Sequence, residues 1–193
     1  MANTCITTYV IQGQKENIAR LKKDLMSIRD PESPTDSEPW AGCFLQFLGI
    51  NPEGQDCRGG IPNTDGALEI SEDDTQLKFT TESKWTRMRC LEQILPEHYD
   101  VTVWYLEEEL GNDVFDTNDE EHTVFPAYVI IDGDTLERDD YYYTPEDARQ
   151  YLGEILEKNG NKPDNFDKMT LEEIAEYVYG EYDNLWVHIA EIS

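Results

Sequence analysis

The chain has 193 residues, enough for one sizeable core or a smaller core with an extension. Its 42 Asp and Glu against 15 Lys and Arg give a formal net charge of -27, which excludes the ordinary nucleic-acid binder, whose affinity rests on neutralising phosphates with basic side chains. An aromatic content of 11% excludes a disordered acidic chain, which would be poor in aromatic and β-branched residues.

The opening residues, MANTCITTYVIQGQKENIARLKK, lack the basic start and apolar stretch of a secretory leader. No apolar run approaches the roughly 18 residues that a membrane span needs. Cys5, Cys43, Cys57 and Cys90 are scattered, without a C-x-x-C pair or a nearby histidine cluster. They predict neither a zinc site nor a disulfide framework; reduced thiols in a cytoplasmic protein are expected. Charge is unevenly spread: residues 1–30 carry net +2, residues 76–90 net +3, and residues 97–147 hold 17 acids against the single base Arg138.

In chain order, CITTYVIQG alternates and is rich in β-branched residues before Gly13, which predicts a strand. In ENIARLKKDLMSIR, Ile18, Leu21, Leu25 and Ile28 recur at spacings of three and four, one apolar helical stripe. Pro31, Pro34 and Pro39 then predict a loop. WAGCFLQFLGI reads as a short helix or irregular segment, and NPEGQDCRGGIPNTDG as a long loop. ALEISEDDTQLKFTTE predicts a hairpin. SKWTRMRCLEQILP predicts a second amphipathic helix opened by Trp85 and closed by Pro96, with DVTVWYLEEEL a strand after it.

That order, strand, helix, hairpin, helix, strand, is the ferredoxin-like split β-α-β-β-α-β arrangement of an α+β fold, with both helices on one face of an antiparallel sheet. It is expected over residues 1–111. The two basic segments would then lie side by side on the helical layer.

Residues 112–193 are expected to form an acidic hairpin-plus-helices extension packed on that core. VFPAYVIIDGDTLERDDYYY predicts a hairpin with Asp132-Gly133 as its turn. TPEDARQYLGEILEKNG predicts a helix with Thr144 as N-cap and Pro145 at its first position. TLEEIAEYVYGEY opens with a capping box, and LWVHIAEI closes the chain as a strand or helix end. The packed extension would make the sheet aromatics core residues rather than an RNA-stacking surface.

The candidate sites are few. Along the last core strand, Val101, Val103, Tyr105, Glu107 and Glu109 share one face. One expectation is that the strand leaves the core at Leu106 and its glutamates are solvated. The other is that Glu107 and Glu109, with Trp85 and Tyr105, bind a small ligand or cation, or act as an acid–base pair, which needs a shifted pKa and a positioned partner. The acid-rich stretch DVFDTNDEEH, expected as a loop, and Asp132, Asp134 and Glu137 lack the calcium-loop spacing. His98, His122 and His188 are isolated, and no nucleophile or phosphate-loop motif occurs. No catalytic residue, metal or cofactor is therefore assigned.

The run FTTESKWTRM…LEQILPEHYDVTVWYLEEELG resembles the YubB-type ferredoxin-like family of plasmids, phages and conjugative elements. A strand ends in Phe79 and Thr80, Trp85 stands at a helix start, Pro96 ends that helix, and a strand runs into Tyr105, Glu107 and Gly111. The strand–Gly–helix from Val10 to Leu25 is also similar. The Trp-Gly-x-Lys-Trp motif that many members carry before the hairpin has no counterpart. The resemblance implies a mobile-element setting and the split fold, with no activity to carry over.

The reading expected from all this is a cytoplasmic accessory protein that binds a partner with a basic surface, without direct nucleic-acid or membrane binding. Alternatives are a DNA mimic that inhibits a nucleic-acid-processing enzyme, and a ligand or divalent-cation module or enzyme built on Glu107 and Glu109.

Overall fold

The computed structural model describes residues 4–29, 38–109, 111, 114–133, 142–182 and 184–193. The chain is a mixed α+β protein that divides into two compact units, Met1–Asn118 with Ser193, and Asp119–Ile192. The expected boundary after Gly111 moves to Asn118 because a strand in the acid-rich stretch pairs with the last core strand.

The first unit is built on a five-stranded antiparallel arrangement. Strand β1 is Thr4–Gly13, β2 Glu69–Ile70, β3 Gln76–Lys84, β4 Val101–Glu109 and β5 Val114–Thr117. They lie in the order β2-β3-β1-β4-β5. Helices α1 (Lys15–Ser27), α2 (Ala41–Phe47) and α3 (Arg89–Tyr99) complete the unit. The β-branched alternation of β1 works as read: Cys5, Tyr9 and Ile11 are buried on one face, because successive side chains point to opposite sides of a sheet. Opposite them on the same face stand Phe79 and Leu77 of β3 and Tyr105 and Val103 of β4.

The apolar stripe of α1 covers that face. Ile18, Leu21, Leu25 and Ile28 are all buried in one core cluster with Leu91, Ile94 and Leu95 of α3, and α2 adds Phe44 and Leu45. Each such side chain taken out of water stabilises the fold by about 1.5–3 kcal/mol.

Three expectations fail here, each for a tertiary reason. Helix α3 begins at Arg89, so Trp85 lies in the turn before it, with φ 77. Nor does Pro96 end the helix: one more turn follows to Tyr99, and Asp100 closes it in the left-handed region. The last turn is anchored by Tyr99, which is buried, stacks on Phe44 with ring centroids 6.4 Å apart, and donates its hydroxyl to Asp24 of α1 at 2.9 Å. Finally, the basic segment 76–90 does not join α1 on a helical layer. Lys78 and Lys84 belong to β3, Arg87 is buried, and Arg89 alone reaches α3.

The second unit has its own sheet, order β7-β6-β8, from β6 (Val129–Gly133), β7 (Tyr142–Tyr143) and β8 (Leu185–Ile189). Asp132 and Gly133 do not turn the chain; they are paired with Trp186 and Leu185 of β8. The connection from β6 to β7, with Asp134, Glu137 and Tyr141, lies outside the described residues. Helices α4 (Pro145–Lys158) and α5 (Leu171–Glu181) pack their apolar sides into this unit's core. Both start where their caps predict: the Thr144 hydroxyl accepts from the Asp147 N–H, and Thr170 and Glu173 form a reciprocal capping box.

Candidate functional site

The three glutamates are not solvated. Glu107, Glu108 and Glu109 are 1%, 8% and 6% exposed, so β4 stays inside the protein to its end. The cause is its position: β4 is flanked by β1 on one side and β5 on the other. Thr7 and Asp116 are the register partners of Glu107, and Val114 that of Glu109.

A carboxylate removed from water requires a partner, and Glu107 has one in Arg87. Its Oε1 accepts the Arg87 backbone N–H at 2.7 Å, and its Oε2 accepts from Arg87 Nη1 at 2.6 Å. The Cys5 thiol donates to the same Oε1 at 3.3 Å. Arg87 in turn donates from Nε to Glu92 Oε1 at 2.7 Å, and its guanidinium lies 4.0 Å from the centre of the Tyr105 ring. Burial alone would lower the Arg87 pKa; the hydrogen bonds to Glu107 and Glu92 outweigh it and hold the guanidinium above its ordinary range.

Local sequence explains how Arg87 arrives there. After β3 the chain turns through Trp85 and Thr86, the turn held by the Ser83 hydroxyl donating to the Thr86 carbonyl at 2.7 Å. This swings Arg87 under the sheet while Trp85 stays half exposed. Tyr105, Glu107 and Glu109 therefore share a face, as their spacing predicts, and Trp85 does not join them.

Both oxygens of Glu107 are occupied by donors of its own chain, so the group holds structure together and offers no free base. Cys5 is no nucleophile either: burial, with the neighbouring Glu107 carboxylate adding to it, pushes its thiol up to about 12, and reactivity requires the thiolate. Beside this cluster, Glu109 Oε2 and Thr81 Oγ1 are buried without a hydrogen-bond partner among the described residues.

No family model matches the chain, and no curated protein or solved structure matches it.

The other acidic candidates also have structural tasks. The stretch expected as a loop contains β5, and Asp119 after it is buried, its Oδ2 accepting the backbone N–H groups of Val124 at 2.7 Å and Phe125 at 2.8 Å. Among the described residues no three His, Cys, Asp or Glu side chains come together to hold a metal ion. His122 stacks on Tyr128 with ring centroids 3.5 Å apart. Among the described residues no helix is long and apolar enough to cross a membrane.

Sequence reasoning missed Arg87 and Cys5 as the partners of Glu107. Cys5 could have been found by continuing the alternation of β1 back from Tyr9. Nothing local pairs Arg87 with a carboxylate twenty residues away.

Proposed function

We propose that the protein works by binding another protein, through the acidic helical surface of its second unit, as a cytoplasmic accessory factor. The observation that carries this reading is Tyr179 on α5, 75% exposed. Glu172 and Glu176 precede it by seven and three residues, so the three share one side of the helix, and all three are exposed. An aromatic ring left in water among carboxylates, on a helix whose other side is buried, has the make-up of an interface anchor with a charged surround. Such a surface suits a basic partner, because complementary charge speeds and orients encounter.

We also read the first unit as ferredoxin-like and, with it, kinship to the YubB-type proteins of mobile elements. The strand order β2-β3-β1-β4, with α1 and α3 as the crossing helices, supports that reading. Four cysteines without a disulfide are in keeping with a reducing compartment.

The test is affinity capture from a bacterial lysate with three full-length baits: wild type, Tyr179→Ala, and Glu172→Lys/Glu176→Lys. A basic protein held by wild type and weakened by about tenfold or more on both variants is expected. Displacement of that protein by duplex DNA would point to mimicry of DNA. Equal retention on all three baits would refute the reading.

A further inference from the structure

The edge of the first sheet is extended beyond β3 by two short rows. Gly59 pairs with Ser83, and Trp40 pairs with Gly60. The rows are fixed by backbone bonds from Lys84 N–H to the Arg58 carbonyl at 3.1 Å, from Ala41 N–H to Gly59 at 2.9 Å, and from Ile61 N–H to Pro39 at 2.9 Å. Ser83 is buried on the core side. Side chains alternate along each row and share a side across paired positions. Lys84, Arg58, Gly60 and Trp40 therefore all belong to the opposite side of the sheet.

The Glu38 side chain lies over Gly60, where a Cβ would come within 2.9 Å of its Oε2, and beside it opens a hollow of about 440 Å³ walled by Trp40, Arg58, Lys84 and Glu38. The size is within the range of small-molecule sites, roughly 300–1,000 Å³. Trp40 is held in place from behind. Its six-membered ring lies so close to Gly42 that a Cβ there would overlap it, yet 43% of the residue remains exposed. Arg58 and Lys84 form no ion pair among the described residues. Glu38 lies on the same wall, its carboxyl pushed up by burial and by the nearby Glu82. In a chain of net charge -27, two cations that no carboxylate has engaged in an ion pair, beside a pre-positioned indole, are available to an anion from outside.

We propose that this hollow binds a nucleoside monophosphate, its base stacked on Trp40 and its phosphate held by Arg58 and Lys84. Every base has a face that stacks on an aromatic side chain, and a guanidinium fork matches phosphate geometry. Glu38, on the same wall, can accept from the amino group of an adenine. A nucleic-acid strand does not suit the site, because neutralising its further phosphates takes more cations than Arg58 and Lys84 supply in a chain of net charge -27.

The experiment is a nuclear magnetic resonance titration of the full chain with adenosine 5′-monophosphate and, separately, with ribose 5-phosphate. Saturable shifts centred on residues 38–40, 58–60 and 84 are expected with the nucleotide. Trp40→Ala should weaken the nucleotide by about tenfold or more while leaving ribose 5-phosphate unaffected. Arg58→Gln should weaken both. Should Trp40→Ala lose the folded spectrum, Trp40→Phe replaces it, with a smaller loss for the nucleotide alone. The proposal is overturned by shifts centred elsewhere, by equal nucleotide affinity in wild type and the Trp40 variant, or by no shift at up to roughly 10 mM, beyond which binding is not specific.

Discussion

Arg87 holds Glu107 with two different donors, its backbone N–H and its guanidinium, at 2.7 and 2.6 Å. The pair lies where β4 reaches the end of the sheet, and it turns an acidic strand end into a buried anchor for the chain between β3 and α3. Removing one partner of a buried ion pair leaves an uncompensated charge, which costs about 3–5 kcal/mol. Glu107→Ala should therefore lower the urea unfolding midpoint by that equivalent. Arg87→Met/Glu107→Leu should recover part of the loss, because an apolar pair leaves no buried charge. A single mutant as stable as wild type would show that the pair is not holding the structure.

Cys5 and Cys90 are both pushed up to about 12, in each case chiefly by burial. At pH 8 a thiol of that pKa is thiolate in only about one molecule in ten thousand, and the thiolate is the form that reacts. Iodoacetamide followed by mass spectrometry should label the less buried Cys43 of the native chain well before Cys5 or Cys90, and all four in denaturant. The same shift makes stability depend on alkali. A thiol whose folded pKa lies above its unfolded value contributes fully below about pH 9 and loses that contribution as pH rises toward about 12. Tyr9, Tyr99 and Tyr105 are displaced in the same direction, burial leading in each. The urea midpoint should thus be flat between pH 7 and 8 and fall above pH 9. A midpoint unchanged at pH 11 would contradict this.

Trp85 sits at φ 77 with half its surface exposed. A side chain with a Cβ in that region costs about 1–2 kcal/mol that glycine does not incur. Trp85→Gly should have a higher thermal midpoint than Trp85→Ala, which gives up the same indole contacts and keeps the strained φ. Equal midpoints for the two variants would mean that the backbone at this turn carries no strain.

Thr81 Oγ1 is buried and makes no hydrogen bond among the described residues. An unsatisfied hydroxyl costs about 1–3 kcal/mol relative to an apolar group of the same shape. Thr81→Val should stabilise the protein, read as a rise in the urea midpoint at constant slope. A destabilised valine variant would mean that the hydroxyl finds a partner in solution.

Much of the local structure was legible because its causes are local. The 3.6-residue recurrence of Ile18, Leu21, Leu25 and Ile28 gives α1 its buried side. Thr144 and Thr170 mark helix starts because a hydroxyl can satisfy a backbone N–H three residues on. Alternation alone puts Glu107 and Glu109 on one face with Tyr105. Where the reading failed, a distant group overrode the local signal. Pro96 would end an isolated helix, but the contacts of Tyr99 with Phe44 and Asp24 carry α3 past it. Asp132-Gly133 is a turn signal that pairing with Trp186 and Leu185 draws into a strand.

What the sequence determined by itself was the α+β class, the helices α1, α4 and α5, the charge, and which side chains share a face; all follow from composition, caps and the periods of helix and strand. Only the tertiary structure decided what those faces meet. It buried the three glutamates by setting β4 between β1 and β5, and brought Arg87 and Cys5 onto Glu107. It also paired the rows that bring Trp40, Arg58 and Lys84 round one hollow. The physical reason is the same in each case. A carboxylate or a cation reads identically in the sequence whether it is solvated or buried, and only the register between distant segments determines which partner, if any, it finds.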